Sequence, residues 1–183
     1  MTKTILLAVS GSISAYKAAD LTSQLSKFGY QVHVLMTEAA TQFITPLTLQ
    51  VLSKHPVHLD VMEEKVADRI NHIDLGKAAD LFILAPASAN TIAHLANGFA
   101  DNMVTATALA LPNHVPKLFA PAMNTKMYDH PATQANIERL KTFGYREIEP
   151  KSAVLACGDI GRGALADVDI LVKIIEETLR ESK

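Results

Sequence analysis

The sequence predicts an α/β fold of three layers, with helices covering both faces of a parallel sheet of about six strands. Three observations carry this reading. Short runs that are apolar throughout, such as Thr4 to Val9 and Leu81 to Ala85, suit strands buried on both faces. Stretches with apolar residues at helical spacing lie between them. The strand ends carry small and hydroxyl residues that lead directly into helix, as at the βα turns of a parallel sheet.

The first unit sets the pattern. Thr4 to Val9 reads as a central strand, Ser10-Gly11-Ser12 as a tight turn, and the next stretch as a helix with Ala18, Leu21, Leu25 and Phe28 on one stripe and Gly29 at its C-cap. Unpaired N–H groups where such a loop enters a helix favour an anion, typically a phosphate, and the hydroxyls of Ser10, Ser12 and Ser14 are further donors. The segment lacks G-x-G-x-x-G, and Lys17 does not complete a P-loop, so neither nucleotide fingerprint is supported. A tight turn without a ligand remains an open reading of this segment by itself.

Gln31 to Met36 forms the second strand, followed by Thr37, which reads equally as a helix cap and as a phosphate or ribose contact. Pro46 opens a short helix. Val57 to Val61 is expected as a short edge strand, with His55, Pro56 and His58 weakening it. The segment Arg69 to Asp80 is helical, with Ile70, Ile73 and Ala78 toward the core and His72 on another face. Leu81 to Ala85 repeats the opening unit, since Ser88-Ala89-Asn90-Thr91 then starts a helix at the carboxyl edge of the sheet, where open α/β sheets bind ligands. An alanine-rich helix runs from Met103 to Leu111, with Asp101 or Asn102 as its cap. Lys117 to Ala120 is the next strand, followed by Pro121 to Tyr128. A helix opened by Pro131 and a strand from Tyr145 to Ile148 complete the sheet. Glu149-Pro150 begins a loop that continues through the glycine-containing run Leu155 to Ala164, read either as a mobile segment able to close over a site or as a surface connection. The last helix buries Val168, Leu171, Val172, Ile175 and Leu179.

Composition narrows the function. At 183 residues the chain is long enough for one well-buried domain, and a net charge of −2 argues against a nucleic-acid partner. No stretch reads as a signal peptide or a membrane span, which predicts a cytoplasmic protein. One cysteine, Cys157, excludes an internal disulfide framework and a cysteine-cluster metal site. His72 taken alone is an ordinary structural histidine, and Met123 and Met127 taken alone are core fillers.

Five segments in this order and spacing resemble the flavin-containing cysteine decarboxylases, and among them phosphopantothenoylcysteine decarboxylases: Gly11 to Lys17, Asn71-His72-Ile73, Ala85 to Thr91, Pro121 to Met127 and Ala156-Cys157-Gly158-Asp159. The match covers nearly the whole chain. One departure is Tyr128, where the family motif ends in Trp. The resemblance implies a single Rossmann-like, flavodoxin-like domain over residues 1–183 that binds FMN near a subunit interface of a homotrimer, sometimes assembled further. It also implies a free-standing decarboxylase, with the phosphopantothenoylcysteine synthetase as a separate protein.

The implied reaction converts 4′-phospho-N-pantothenoylcysteine to 4′-phosphopantetheine and carbon dioxide on the route to coenzyme A. An α-carboxylate with no adjacent carbonyl has no electron sink, so a cofactor must create one. In the family, transient oxidation of the thiol to a thioaldehyde does this, and the enethiolate left by decarboxylation is then reduced again. By resemblance, His72 is the acid/base of the oxidative step and Cys157 protonates the enethiolate. Asn124 binds the substrate carboxylate, with Met127 packing beside it. Gly11, Ser12, Ile13 and Thr37 hold the FMN phosphate, and Ser88, Ala89, Asn90 and Thr91 contact the flavin region. Lys126 and Arg162 are candidates for the substrate phosphate by charge. The rival readings are a peptidyl-cysteine decarboxylase and a non-catalytic flavin-binding regulator.

Overall fold

The computed structural model describes residues 2–63, 71–156 and 158–181. Five parallel strands form one sheet in the order β2-β1-β3-β4-β5, where β1 is Thr4–Val9, β2 Gln31–Met36, β3 Leu81–Ala87, β4 Lys117–Pro121 and β5 Tyr145–Glu147. The central place of β1 explains its composition. Ile5, Leu7 and Val9 enter one core and Leu6 and Ala8 the other, all of them fully buried. Because successive side chains point to opposite faces, a strand with a core on each side leaves no position for a polar residue.

Helices α1 (Lys17–Lys27), α3 (Pro46–Ser53) and α9 (Val168–Glu181) supply Leu21, Leu25, Leu49, Leu171 and Ile175 to the first core. The second core takes Ile92, Met103, Val104, Ile137 and Leu140 from α5 (Ala89–Ala96), α6 (Met103–Leu109) and α8 (Pro131–Thr142). On α9, Leu171, Val172, Ile175 and Leu179 are buried as their spacing predicts, while Val168, expected with them, is half-buried against the same core. Each of these large aliphatic side chains contributes roughly 1.5–3 kcal/mol when fully buried. Phe28 does not join the α1 stripe and is 59% exposed. It caps a helix that has already ended, and Gly29 (φ 87°) turns the chain away toward β2.

Helix α4 (Asn71–Ala78) lies within the segment read as helical; Ile70, expected in the core, lies outside the described residues. Its contacts differ from the expected ones. Gly76 is buried and Leu75 packs against the second core, whereas Ala78 is exposed.

Among the described residues the sheet has five strands rather than six. Of Val57 to Val61, only His58 bridges to β2, donating its N–H to Val34 and accepting from Met36. Pro56 offers no donor on one side, and on the other the Asp60 carboxylate accepts the Met62 N–H at 2.8 Å and turns the chain.

The run expected as a mobile loop is instead an antiparallel hairpin, β6 (Lys151–Val154) with β7 (Ile160–Ala164). Two of its glycines serve close approach. A Cβ on Gly163 (φ 140°) would stand 2.2 Å from the Met123 carbonyl oxygen, and one on Gly161 would stand 2.6 Å from Thr125 Oγ1. The hairpin thus lies directly on the Met123–Thr125 loop, where the Met123 N–H donates to the Gly163 carbonyl at 2.9 Å. Among the described residues no helix is long and apolar enough to cross a membrane.

Candidate active site

At the carboxyl end of β1 the fully buried Ser10 hydroxyl donates to the Pro86 carbonyl at 2.7 Å and accepts the Ser88 N–H at 2.8 Å. The turns after β1 and β3 are therefore one bonded unit. This corrects the reading of Ser10 as a ligand donor, because its hydroxyl is committed to the fold. Gly11 permits a second close approach. A Cβ there would stand 2.6 Å from Ala39 Cβ, so the short helix α2 (Glu38–Thr41) can rest against the opening turn only with glycine present.

Ser12 caps a single 3-10 turn, Ile13–Tyr16, by accepting the Ser14 N–H at 3.3 Å. The N–H groups of Gly11 and Ser12 bond to no described residue, which leaves the donors an anion needs. Thr37 caps α2 through the Ala40 N–H at 3.3 Å and also lines the cleft, so its two readings are compatible. Ser88 likewise caps α5, accepting the Thr91 N–H at 3.3 Å and bonding the Thr91 hydroxyl at 3.2 Å. The Asn90 side chain is exposed and makes no hydrogen bond to a described residue.

These segments line one open cleft of about 1090 Å³ over the carboxyl ends of the sheet. It brings together Gly11, Ser12, Ile13, Thr37, Ser88, Ala89, Asn90, Thr91, Asn124 and Met127, with Val154, Leu155 and Ala156 contributed by the hairpin side. Asn124 caps α7 (Thr125–Tyr128): its Oδ1 accepts the Lys126 N–H at 2.8 Å, and its Nδ2 donates to the Asp159 carboxylate at 3.0 Å. The residue expected to hold a substrate carboxylate is thus already oriented by a carboxylate of the hairpin turn.

One expected residue is not brought into this cleft, and a second cannot be placed relative to it. His72 on α4 does not line it, and its Nδ1 is buried with no hydrogen-bond partner among the described residues. Cys157 lies outside the described residues.

Neither Lys126 nor Arg162 lines the cleft; Arg162 pairs with Asp129 at 3.1 Å and stands 5.3 Å over the Tyr128 ring. Among the described residues the lysines that line it are Lys17 and Lys151, the latter paired with Asp167. Charge in the sequence could not locate them, since only the packing of the hairpin brings Lys151 beside the opening turn. His94 and Asp101 also line the cleft, 3.3 Å apart. Burial alone would raise the Asp101 carboxyl, but the His94 ring and the Thr105 hydroxyl hold it below the usual range. Tyr128, in place of the family Trp, is buried and donates its hydroxyl to Glu147 at 2.8 Å.

Comparison with known proteins agrees with this geometry. The family model described as Flavoprotein matches residues 1–180. A probable phosphopantothenoylcysteine decarboxylase of Streptococcus mutans is 71% identical over 179 residues, covering 98% of this chain and 100% of that protein. Among solved structures, a cysteine-to-serine mutant of a PPC decarboxylase complexed with pantothenoylaminoethenethiol has a TM-score of 0.89 at 32% identity, over 96% of this chain and 97% of that one. The FMN binding protein AtHal3 has a TM-score of 0.85 at 32% identity, with 96% of each chain covered. The match spans both the sheet and the cleft that lies over its carboxyl edge, and the chain belongs to the Flavoprotein family.

Proposed function

We propose that this chain is an FMN-dependent phosphopantothenoylcysteine decarboxylase, which converts 4′-phospho-N-pantothenoylcysteine to 4′-phosphopantetheine and carbon dioxide in coenzyme A biosynthesis. The observation that carries the reading is the single cleft that gathers the glycine turn, the Ser88–Thr91 turn and the Asn124–Met127 segment. Its lining fits FMN. The N–H groups of Gly11 and Ser12, which bond to no described residue, suit the phosphate, and Ala39, Met123, Met127 and Leu155 offer apolar surface to a flat ring system. Bound FMN supplies a two-electron sink that fills and empties within one turnover.

The chain's own residues then divide the remaining work. Gly11, Ser12, Ile13 and Thr37 hold the cofactor's phosphate, and Ser88, Ala89, Asn90 and Thr91 border its ring system. Asn124 presents its amide to the substrate carboxylate, with Met127 packed beside the substrate. His72 accepts the thiol proton in the oxidative step, and Cys157 returns a proton to the enethiolate. Because His72 does not line the cleft of its own chain, this role requires a neighbouring copy. That requirement fits a homotrimer with each cleft near an interface.

The test is anaerobic incubation of FMN-loaded protein with 4′-phosphopantothenoylcysteine, following carbon dioxide and product mass. Phosphopantetheine formed without added oxidant is the expected result. Accumulation of an oxidised enethiol would instead place the chain with enzymes of the peptidyl-cysteine type, and no reaction despite bound FMN would leave a binding role.

A further inference from the structure

A second cavity, of about 380 Å³, lies at the opposite edge of the sheet from the cleft. Its floor includes Lys117 and Tyr145, the first residues of β4 and β5, and its rim comes from the C-terminal ends of α5, α6 and α8. The volume is near the lower end of small-molecule sites, roughly 300–1,000 Å³. Leu95, Leu109, Phe99 and Phe143 give it apolar walls, and no Asp or Glu is among its described lining residues.

Its charge is one-signed and partly prepared. The Arg139 guanidinium donates to Asn97 Oδ1 at 3.3 Å and stands 5.8 Å over the Phe143 ring. The Lys117 ammonium is half-buried, 6.0 Å from the Tyr145 ring centre, and pairs with no carboxylate among the described residues. The partly exposed lysines Lys3 and Lys151 do have such partners, Asp80 and Asp167. Burial pulls Lys117 below the ordinary lysine range, a cost that an anion arriving in the cavity would offset.

We propose that this cavity is a second binding site, separate from the cleft, for a small amphipathic carboxylate whose apolar chain or ring packs on the aromatic walls and whose charge is taken by Lys117 and Arg139. A carboxylate suits the guanidinium fork, and a single compact head group leaves most of so small a cavity to the apolar part.

The experiment is isothermal titration of FMN-loaded protein with octanoate, using octanamide as the neutral probe of equal length. Octanoate is expected to bind with a Kd below about 1 mM, and octanamide at least about tenfold more weakly. Lys117→Met and Leu109→Glu, neither in the catalytic machinery, should each weaken octanoate about tenfold or more while decarboxylation proceeds at the wild-type rate. Leu109 is 63% exposed, so its substitution leaves the core untouched. Equal binding of acid and amide, or octanoate binding indifferent to both substitutions, would overturn the proposal. So would a wild-type protein that ignores octanoate; if Leu109→Glu then also lowers the sedimenting mass, the face is a contact between copies of the chain.

Discussion

The Ser10 hydroxyl accepts the Ser88 N–H at 2.8 Å across 78 residues of sequence. Through it the glycine turn after β1 and the cap of α5 hold a fixed relation, and both border the cleft. Ser10→Ala strands the Ser88 N–H, while the Pro86 carbonyl keeps the Ser10 backbone N–H at 3.3 Å. We expect a stability loss of about 1–3 kcal/mol in urea unfolding, together with weaker FMN binding in a flavin fluorescence titration. Unchanged FMN affinity would show that the two turns hold the cofactor independently.

Gly163 lies where β7 meets the Met123 loop. Gly163→Ala places a methyl group against a backbone carbonyl in a backbone conformation unfavourable to L side chains, so one of the two segments must move. The expected cost is about 1–3 kcal/mol, a fall in Tm of several degrees by calorimetry. Gly29→Ala is the control, since its φ is also positive but nothing lies within 4 Å of the added methyl. It should cost less than Gly163→Ala.

Asp159 orients the Asn124 amide. Asp159→Ala removes the acceptor at 3.0 Å while the Lys126 N–H contact at 2.8 Å remains, so Asn124 loses part of its alignment without leaving its place. With Asn124 as the carboxylate donor, kcat/KM should fall about tenfold, equivalent to about 1.4 kcal/mol, with the bound-flavin absorbance spectrum unchanged. An equal kcat/KM would separate Asp159 from substrate binding.

His33 makes stability depend on pH. Burial and the neighbouring His55 and His58 rings lower its pKa from 6.5 to about 4, and its Nδ1 is buried without a partner among the described residues. The unfolded chain therefore takes up a proton at this site below about pH 6.5 that the folded chain refuses until about pH 4. Stability is unaffected by this group above that window and falls as pH drops through it. Partial exposure of the ring limits the effect to on the order of 1–2 kcal/mol. Urea unfolding at about pH 7 and about pH 4.5 should show a larger acid loss in the wild type than in His33→Gln. Equal losses would assign the acid sensitivity to other groups.

The sequence by itself determined the layers and most of the cleft, and it located the strands of the sheet but added a sixth at Val57 to Val61. Burial on both faces forces β1 and β3 to be apolar throughout, and the caps Thr37, Ser88 and Asn102 act on N–H groups only three residues away. Such local constraints are visible in the order of residues. The hairpin was not, because β6 and β7 have little apolar alternation and are placed by the contact of Gly161 and Gly163 with a loop nearly forty residues earlier. Only tertiary structure decided that Ser10 binds the fold, that Lys17 and Lys151 line the cleft in place of Lys126 and Arg162, and that His72 does not line it. Each outcome depends on which distant backbone lies beside a side chain, and in a parallel sheet that is set by crossovers and register between strands far apart in the chain.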